Sequence, residues 1–172
     1  MDALSAAKSL NLSNWAIGAG AIRNLVWDHL HGHKIATPLR DIDVVFYDDT
    51  NNITNNEPVL QQRLKNLLPE LNWEVVNQAT VHHWLQQHVS SSILAFQSIE
   101  QGIAAWPEYA TCVAVHIDPH NQLQCISPHG LEDLFNLRVR HNPTVVGYAV
   151  YQQRLLTKRF HQRWPQLDII TQ

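Results

Sequence analysis

The spacing of apolar residues changes several times along the chain, and each change predicts an element. Leu4, Ala7 and Leu10 recur at helical spacing within residues 3–10, and residues 14–17 (NWAI) read as a brief apolar strand running into Gly18-Ala19-Gly20. From Ala21 the period turns helical. Ile22, Leu25, Val26 and Leu30, with His29 at the margin, form a predicted stripe that ends near Gly32. Residues 41–47 (DIDVVFY) alternate as a strand does, with Ile42, Val44 and Phe46 against Asp41, Asp43, Val45 and Tyr47. A polar loop over Asp48–Asn52 and Asn55-Asn56 leads to a helix at 57–68, whose Pro58 sits in the first turn, where its missing N–H does no harm. Residues 73–77 (WEVVN) predict a third strand, and 80–89 and 97–105 two further helical pieces. Residues 110–117 and 122–126 predict a hairpin around Asp118-Pro119-His120-Asn121. A short helix opens at Gly130, and a longer basic one covers 145–163 and ends before Pro165. This order predicts an α/β (α+β) fold, a mixed sheet flanked by helices and closed by a C-terminal helix.

Composition narrows the class. A length of 172 residues suits a single domain, divided as a core over 1–140 and a basic helical extension over 141–172. With 45% hydrophobic and 16% charged residues the chain is neither disordered nor fibrous. Its net charge of −3 argues against a protein that coats polyanions, but that total hides an asymmetry. Arg138, Arg140, Arg154, Lys158, Arg159 and Arg163 face only Asp168 in the last 35 residues, so that segment carries +5 and the remainder −8. The length leaves no room for a nucleotide-binding head plus a full RNA-binding body, so long nucleic acid is disfavoured as a partner. Cys112 and Cys125 form no CxxC pair, the acid at position 2 and the lack of a long apolar run near it lead us to expect no signal peptide, and no apolar run is long enough to span a membrane. A cytoplasmic location is expected.

The sharpest chemical feature is Asp41-Ile42-Asp43 at the start of a strand, about twenty residues after a glycine-rich strand-to-helix turn. Residues i and i+2 of a strand share a face, so the two carboxylates converge and repel unless a cation lies between them. Mg²⁺, or Mn²⁺ in its place, suits such a pair when phosphate oxygens complete the shell. Gly18 and Gly20, which lack Cβ, would let those phosphates approach, with the amides of the following helix facing their charge.

The stretch Ile17-Gly18-Ala19-Gly20-Ala21-Ile22-Arg23-Asn24-Leu25, followed by Leu39-Arg40-Asp41-Ile42-Asp43-Val44, resembles the head of the polymerase-β-type nucleotidyltransferase superfamily. It is similar to the Gly-Gly-x-Val-Arg-Asp … Asp-x-Asp pattern of tRNA CCA-adding enzymes and poly(A) polymerases. Gly130-Leu131-Glu132-Asp133-Leu134 … Arg138-Val139-Arg140 echoes the segment that follows the catalytic sheet there. A closer resemblance, to a small bacterial nucleotidyltransferase-like group, runs through WAIGAGAIRN, TPLRDIDVVFYD, WEVVNQATVH, AAWPEYATCVAV, HGLEDLF, VRHNP and RWPQL. It implies a polymerase-β-like fold and transfer of an NMP moiety from an NTP to a hydroxyl acceptor, with Asp41 and Asp43 on the metal and pyrophosphate released. The resemblance also implies a third carboxylate from a neighbouring strand, to activate the attacking hydroxyl or complete the metal shell. Glu74 fits the apolar–acid–apolar pattern for that role, an exposed strand glutamate being the plain reading; Asn77 is its rival under a shifted register, although an amide cannot act as a base. The acceptor is expected to be a small molecule or a protein. A catalytically idle nucleotide-binding or interaction module on the same fold is the alternative. The chain departs from the pattern in having Ala19-Gly20 where Gly-Gly or Gly-Ser is usual, and Asn24 where an acid often follows the arginine.

Other residues keep two readings each. Arg23 either grips phosphate or pairs with Asp41, and Arg40 either binds triphosphate or neutralises Asp41. Together with Gly18, Ala19 and Gly20 they make up the expected nucleotide-binding set. Asp28 reads as a solvated helix acid. The eleven histidines lack the paired ligand spacing of a zinc site, and the six tryptophans read as core anchors. Arg154, Lys158 and Arg159 form a positive stripe that either receives an anionic partner or packs on the acidic domain and cancels its charge.

Overall fold

A computed structural model describes residues 1–50, 55–86 and 93–171. The elements begin with α1 (Asp2–Lys8), β1 (Trp15–Gly18), α2 (Gly20–Leu30), β2 (Ile42–Phe46), α3 (Glu57–Leu67) and β3 (Trp73–Asn77). They continue with α4 (Val81–Gln86), α5 (Ile99–Ala104), a 3-10 turn at Tyr109–Thr111, β4 (Ala114–Ile117) and β5 (Leu123–Ile126). The C-terminal part adds α6 (Glu132–Phe135), β6 (Arg138–Val139), α7 (Tyr148–Lys158), α8 (Phe160–Arg163) and β7 (Asp168–Ile169). No described helix is long and apolar enough to cross a membrane.

Five strands form one mixed sheet in the order β3-β2-β1-β4-β5, with β2 and β3 parallel and the other neighbours antiparallel. A parallel pair needs a crossover, and α3 supplies it. The pleat then sorts the side chains. Ile17, Ile42, Val44, Phe46, Trp73 and Val75 pack under Ala6, Ala7, Leu60 and Leu64 from α1 and α3, while Ala16, Val45 and Ala114 point to the opposite face and meet Ile99 and Ile103 of α5. Asp43 and Glu74 belong by alternation to this second face.

A third core corrects the expected helix stripe. Ile22 and Val26 of the expected stripe pack against this core, but Leu25 is 66% exposed and Leu30 37%, and the residues that α2 buries are Arg23, Asn24, Trp27 and Asp28. Polar side chains can be buried when each finds a partner, and here Arg23 bonds Thr111 while Asp28 accepts from Trp164. Trp27 packs edge-on against Phe160 and Trp164, at 5.7 and 5.1 Å between ring centres. Tyr151, Leu134 and Val139 complete this cluster, so the C-terminal segment is built into the domain. The helix expected over 145–163 is two helices, because Arg159 turns left-handed (φ 49, ψ 46) and redirects Phe160 and Trp164 towards Trp27. The first arm of the predicted hairpin is shorter than 110–117, its start being the 3-10 turn. The β6–β7 pair was not expected from the sequence, and residues 51, 52 and 87–89 of the predicted loop and helix lie outside the described residues.

Candidate active site

Gly18, Asp43 and Glu74 stand side by side across β1, β2 and β3. Asp41 lies one residue ahead of β2 rather than within it, and both aspartates are half-buried while Glu74 is exposed. The three acids share one electrostatic environment. Burial, followed by the charges of Asp41 and Glu74, pushes the Asp43 carboxyl up to about 6, with Lys158 and Arg23 opposing. Asn77 is no rival to Glu74. It pairs with Phe46, three residues further along β3, and its side chain accepts from the Asp48 amide (3.0 Å) and donates to the Asp48 carbonyl (2.7 Å). No cluster of three or more His, Cys, Asp or Glu side chains closes into a metal cage among the described residues. The donor set nevertheless fits Mg²⁺, which is held by one or two carboxylates and takes its remaining oxygens from phosphate and water. A carboxyl whose charge is raised in energy by its neighbours is relieved by such a cation.

The turn between β1 and α2 differs from expectation in detail. Gly18 does not open the backbone to phosphate: a Cβ there would lie 2.5 Å from the Trp106 ring and 2.9 Å from Ala114 Cβ. Its glycine is required by packing. Gly20 is the open position, where a Cβ would meet only Arg23 Nη2 at 3.6 Å. Between them Ala19 adopts φ 51, ψ −122, a backbone conformation suited to glycine, and serves as the N-cap of α2. No side chain caps this helix, so the amides of its first turn keep no side-chain acceptor and are donors of the kind an anion can use.

The sequence model of a nucleotidyltransferase family matches residues 5–169. The chain belongs to that family. No curated protein matches it, but solved structures do. A protein whose NMR structure reveals a CCA-adding enzyme head domain is 26% identical, with a TM-score of 0.81 over 99% of this chain and 88% of that one. The Thermotoga maritima CCA-adding enzyme complexed with tRNA (18% identity, TM-score 0.59) and a CCA-adding enzyme in complex with CTP (16%, 0.58) each match 98% of this chain and share its fold. The chain spans 37% of the length of either enzyme.

Arg23 is buried and makes no ion pair with Asp41. Its Nη1 donates to Thr111 Oγ1 and its Nη2 to Asn24 Oδ1, both at 2.9 Å, and the guanidinium lies 4.8 Å from the Phe160 ring centre. Burial lowers its pKa to about 10, against the pull of Glu108. Arg40 is exposed and likewise forms no ion pair with Asp41; its carbonyl accepts from Asn72. Asp28 is not a solvated helix acid. It is buried and accepts from Thr37 N (2.7 Å), Thr37 Oγ1 (2.6 Å) and Trp164 Nε1 (2.8 Å), with His33 at 3.0 Å. Burial works against its charge, but these hydrogen bonds hold the carboxyl below its ordinary range. Reading the residues alone missed Glu108, which is fully buried and bidentate to Arg154 (2.6 and 3.1 Å). The spacing of Arg154 and Lys158 was the one available signal, since it required some partner on the inward side of α7.

Proposed function

We propose that this nucleotidyltransferase is active, and that with Mg²⁺ or Mn²⁺ it moves the NMP moiety of an NTP onto a hydroxyl acceptor. The observation that carries this reading is Glu74 standing directly beside Asp43 in the parallel β2–β3 pair. An idle module has no need of a third acid in that register. Asp41 and Asp43 would hold the divalent ion, which when bound supplies Lewis-acid polarisation of the phosphoryl group. The uncapped amides of α2, together with Arg23 and Arg40, receive the phosphates. Glu74 is exposed where an acceptor can reach it, and takes the hydroxyl proton. The acceptor oxygen then bonds the α-phosphorus in line as the bond to the bridging oxygen breaks and pyrophosphate leaves.

CTP and tRNA accompany the CCA-adding enzymes of similar fold, so they form the first substrate pair to offer, with small hydroxyl compounds and proteins next. The test incubates the full chain with each α-labelled NTP and Mg²⁺ and follows pyrophosphate release and label transfer. Asp41→Asn and Asp43→Asn are expected to abolish both signals, and Glu74→Gln to slow them roughly 10²–10⁴-fold, the usual worth of a general base. Transfer undiminished in Asp41→Asn would overturn the reading.

A further inference from the structure

The inward face of α7 carries cations that are tied to the turn beside Asp43. Tyr151, Arg154 and Lys158 recur at i, i+3 and i+7 and so share one side of the helix. Tyr151 is fully buried, and Arg154 is fixed by its bidentate bond to Glu108. Thr111 donates to Glu108 at 3.0 Å and accepts from Arg23 at 2.9 Å. The Arg23 guanidinium rests on Phe160, two residues beyond Lys158, and its Nη2 lies beside the open face of Gly20. One connected set of contacts therefore runs from Arg154 of α7 and Phe160 of α8 to the turn, with Lys158 one helical turn beyond Arg154.

This set is short of negative charge. Arg23, Arg154 and Lys158 repel one another, and Glu108 is the one acid bonded within the group. Lys158 is half-buried and forms no ion pair among the described residues. Burial, Arg154 and Arg23 hold its ammonium below its ordinary range, while Asp41 and Asp43 pull the other way, as expected for a cation facing them. The Nε of Arg23, itself 4% exposed, is buried with no partner. A buried donor left unpaired on one of three mutually repelling cations is what an anionic ligand would satisfy.

The geometry points to a polyphosphate site in which Lys158 and Arg154, backed by Arg23, face Asp41 and Asp43 and take the β- and γ-phosphates of a nucleotide or the departing pyrophosphate. Lys158 is the group that touches the ligand, and Glu108 is a positioning residue that acts through Arg154. The inference rests on the transferase reading for its substrate but not for its test. Calorimetric titration of the full chain with inorganic tripolyphosphate, over a salt series with and without Mg²⁺, measures the site directly. Lys158→Met is expected to weaken binding about tenfold and flatten its salt dependence, whereas Lys158→Arg stays near wild type. The melting temperature of Lys158→Met should hold or rise, because a mutually repelling charge is gone, and this separates ligand binding from a structural role. Wild-type affinity in Lys158→Met, no tripolyphosphate binding by the wild type, or preferential binding of an RNA oligonucleotide lacking a 5′-triphosphate would each overturn the inference. Lys158-dependent binding without turnover of any NTP would uphold it and sink the transferase reading. Asp41-dependent turnover with unchanged tripolyphosphate binding in Lys158→Met would do the reverse.

Discussion

Without a divalent ion, the Asp43 carboxyl gives up its proton only at about 6, against an ordinary 3.8, because burial strips its water and Asp41 and Glu74 repel its charge. An acid held above its unfolded value binds its proton more tightly when folded, so ionisation subtracts stability as pH rises through that interval. At about 1.4 kcal/mol per decade, the loss reaches about 3 kcal/mol above neutrality. Asparagine keeps the shape of the group and removes the charge. Asp43→Asn is therefore expected to be about 3 kcal/mol more stable than the wild type at about pH 7.5 in EDTA, or ~6–12 °C in melting temperature for a chain of this size. The gap should close towards about pH 4, where the wild-type carboxyl is neutral. Asp28 and Glu108 run in the opposite sense. Burial opposes their charge, but hydrogen bonds, and for Glu108 the adjacent Arg154, hold both carboxyls below their ordinary range. Their contribution is present above the ordinary carboxylate range and is lost in acid, and comparing the two proteins at each pH cancels it. Urea titrations between about pH 4 and pH 8 give the difference, and Mg²⁺ should raise the stability of the wild type alone. A variant no more stable than wild type near pH 7.5, or a gap that persists in acid, refutes the argument that these carboxylates repel in one site.

Ala19→Gly relieves a backbone conformation that alanine adopts at a cost, and is expected to gain about 1 kcal/mol after the added freedom of the unfolded chain is counted. A thermal melt checks it, and a lower midpoint would show that Ala19 is unstrained. Gly18→Ala drives a methyl into Trp106 and Ala114 and is expected to lose about 1–3 kcal/mol by urea titration. No loss would mean that Trp106 moves aside freely. Asp28→Ala leaves the buried Trp164 indole N–H without its acceptor and should cost about 3 kcal/mol, with blue-shifted or broadened tryptophan emission as the structural readout.

Legibility in the sequence followed how local each signal was. The strand WEVVN is observed with its predicted bounds, Trp73–Asn77, because its alternation is complete within five residues. The placement of Glu74 beside Asp43 needed the register of two strands separated by α3, which no local pattern contains. Hydropathy found Ile22 and Val26 of the α2 stripe but missed Arg23 and Asp28, which score as polar and whose burial only their distant partners, Thr111 and Trp164, make favourable. Gly18 was readable as a position that needs glycine, yet what fills the space is an indole from residue 106. The reversal at Arg159 carries no glycine or proline to announce it.

The division of charge between an acidic body and a basic C-terminal segment takes on a different meaning once the fold is known. Neutralisation in bulk would scatter the basic residues over the surface of the body, and Arg159 and Arg163 are indeed exposed. Arg154 and Lys158 are not spent that way. Tyr151, Phe160 and Trp164 bury α7 and α8 against Trp27, and that packing fixes Arg154 on Glu108. It also brings Lys158 within the field of Asp41 and Asp43, some 115 residues earlier in the chain. The same cations that moderate the repulsion at Asp43 remain short of acids of their own, so the two halves of the charge pattern meet at the turn without cancelling. Acids on one side and underpaired cations on the other are the electrostatic complement of a metal-bound polyphosphate, whose cation and anion must be held together. On the proposed polyphosphate site, the segment that reads as an appended basic tail is one wall of that site.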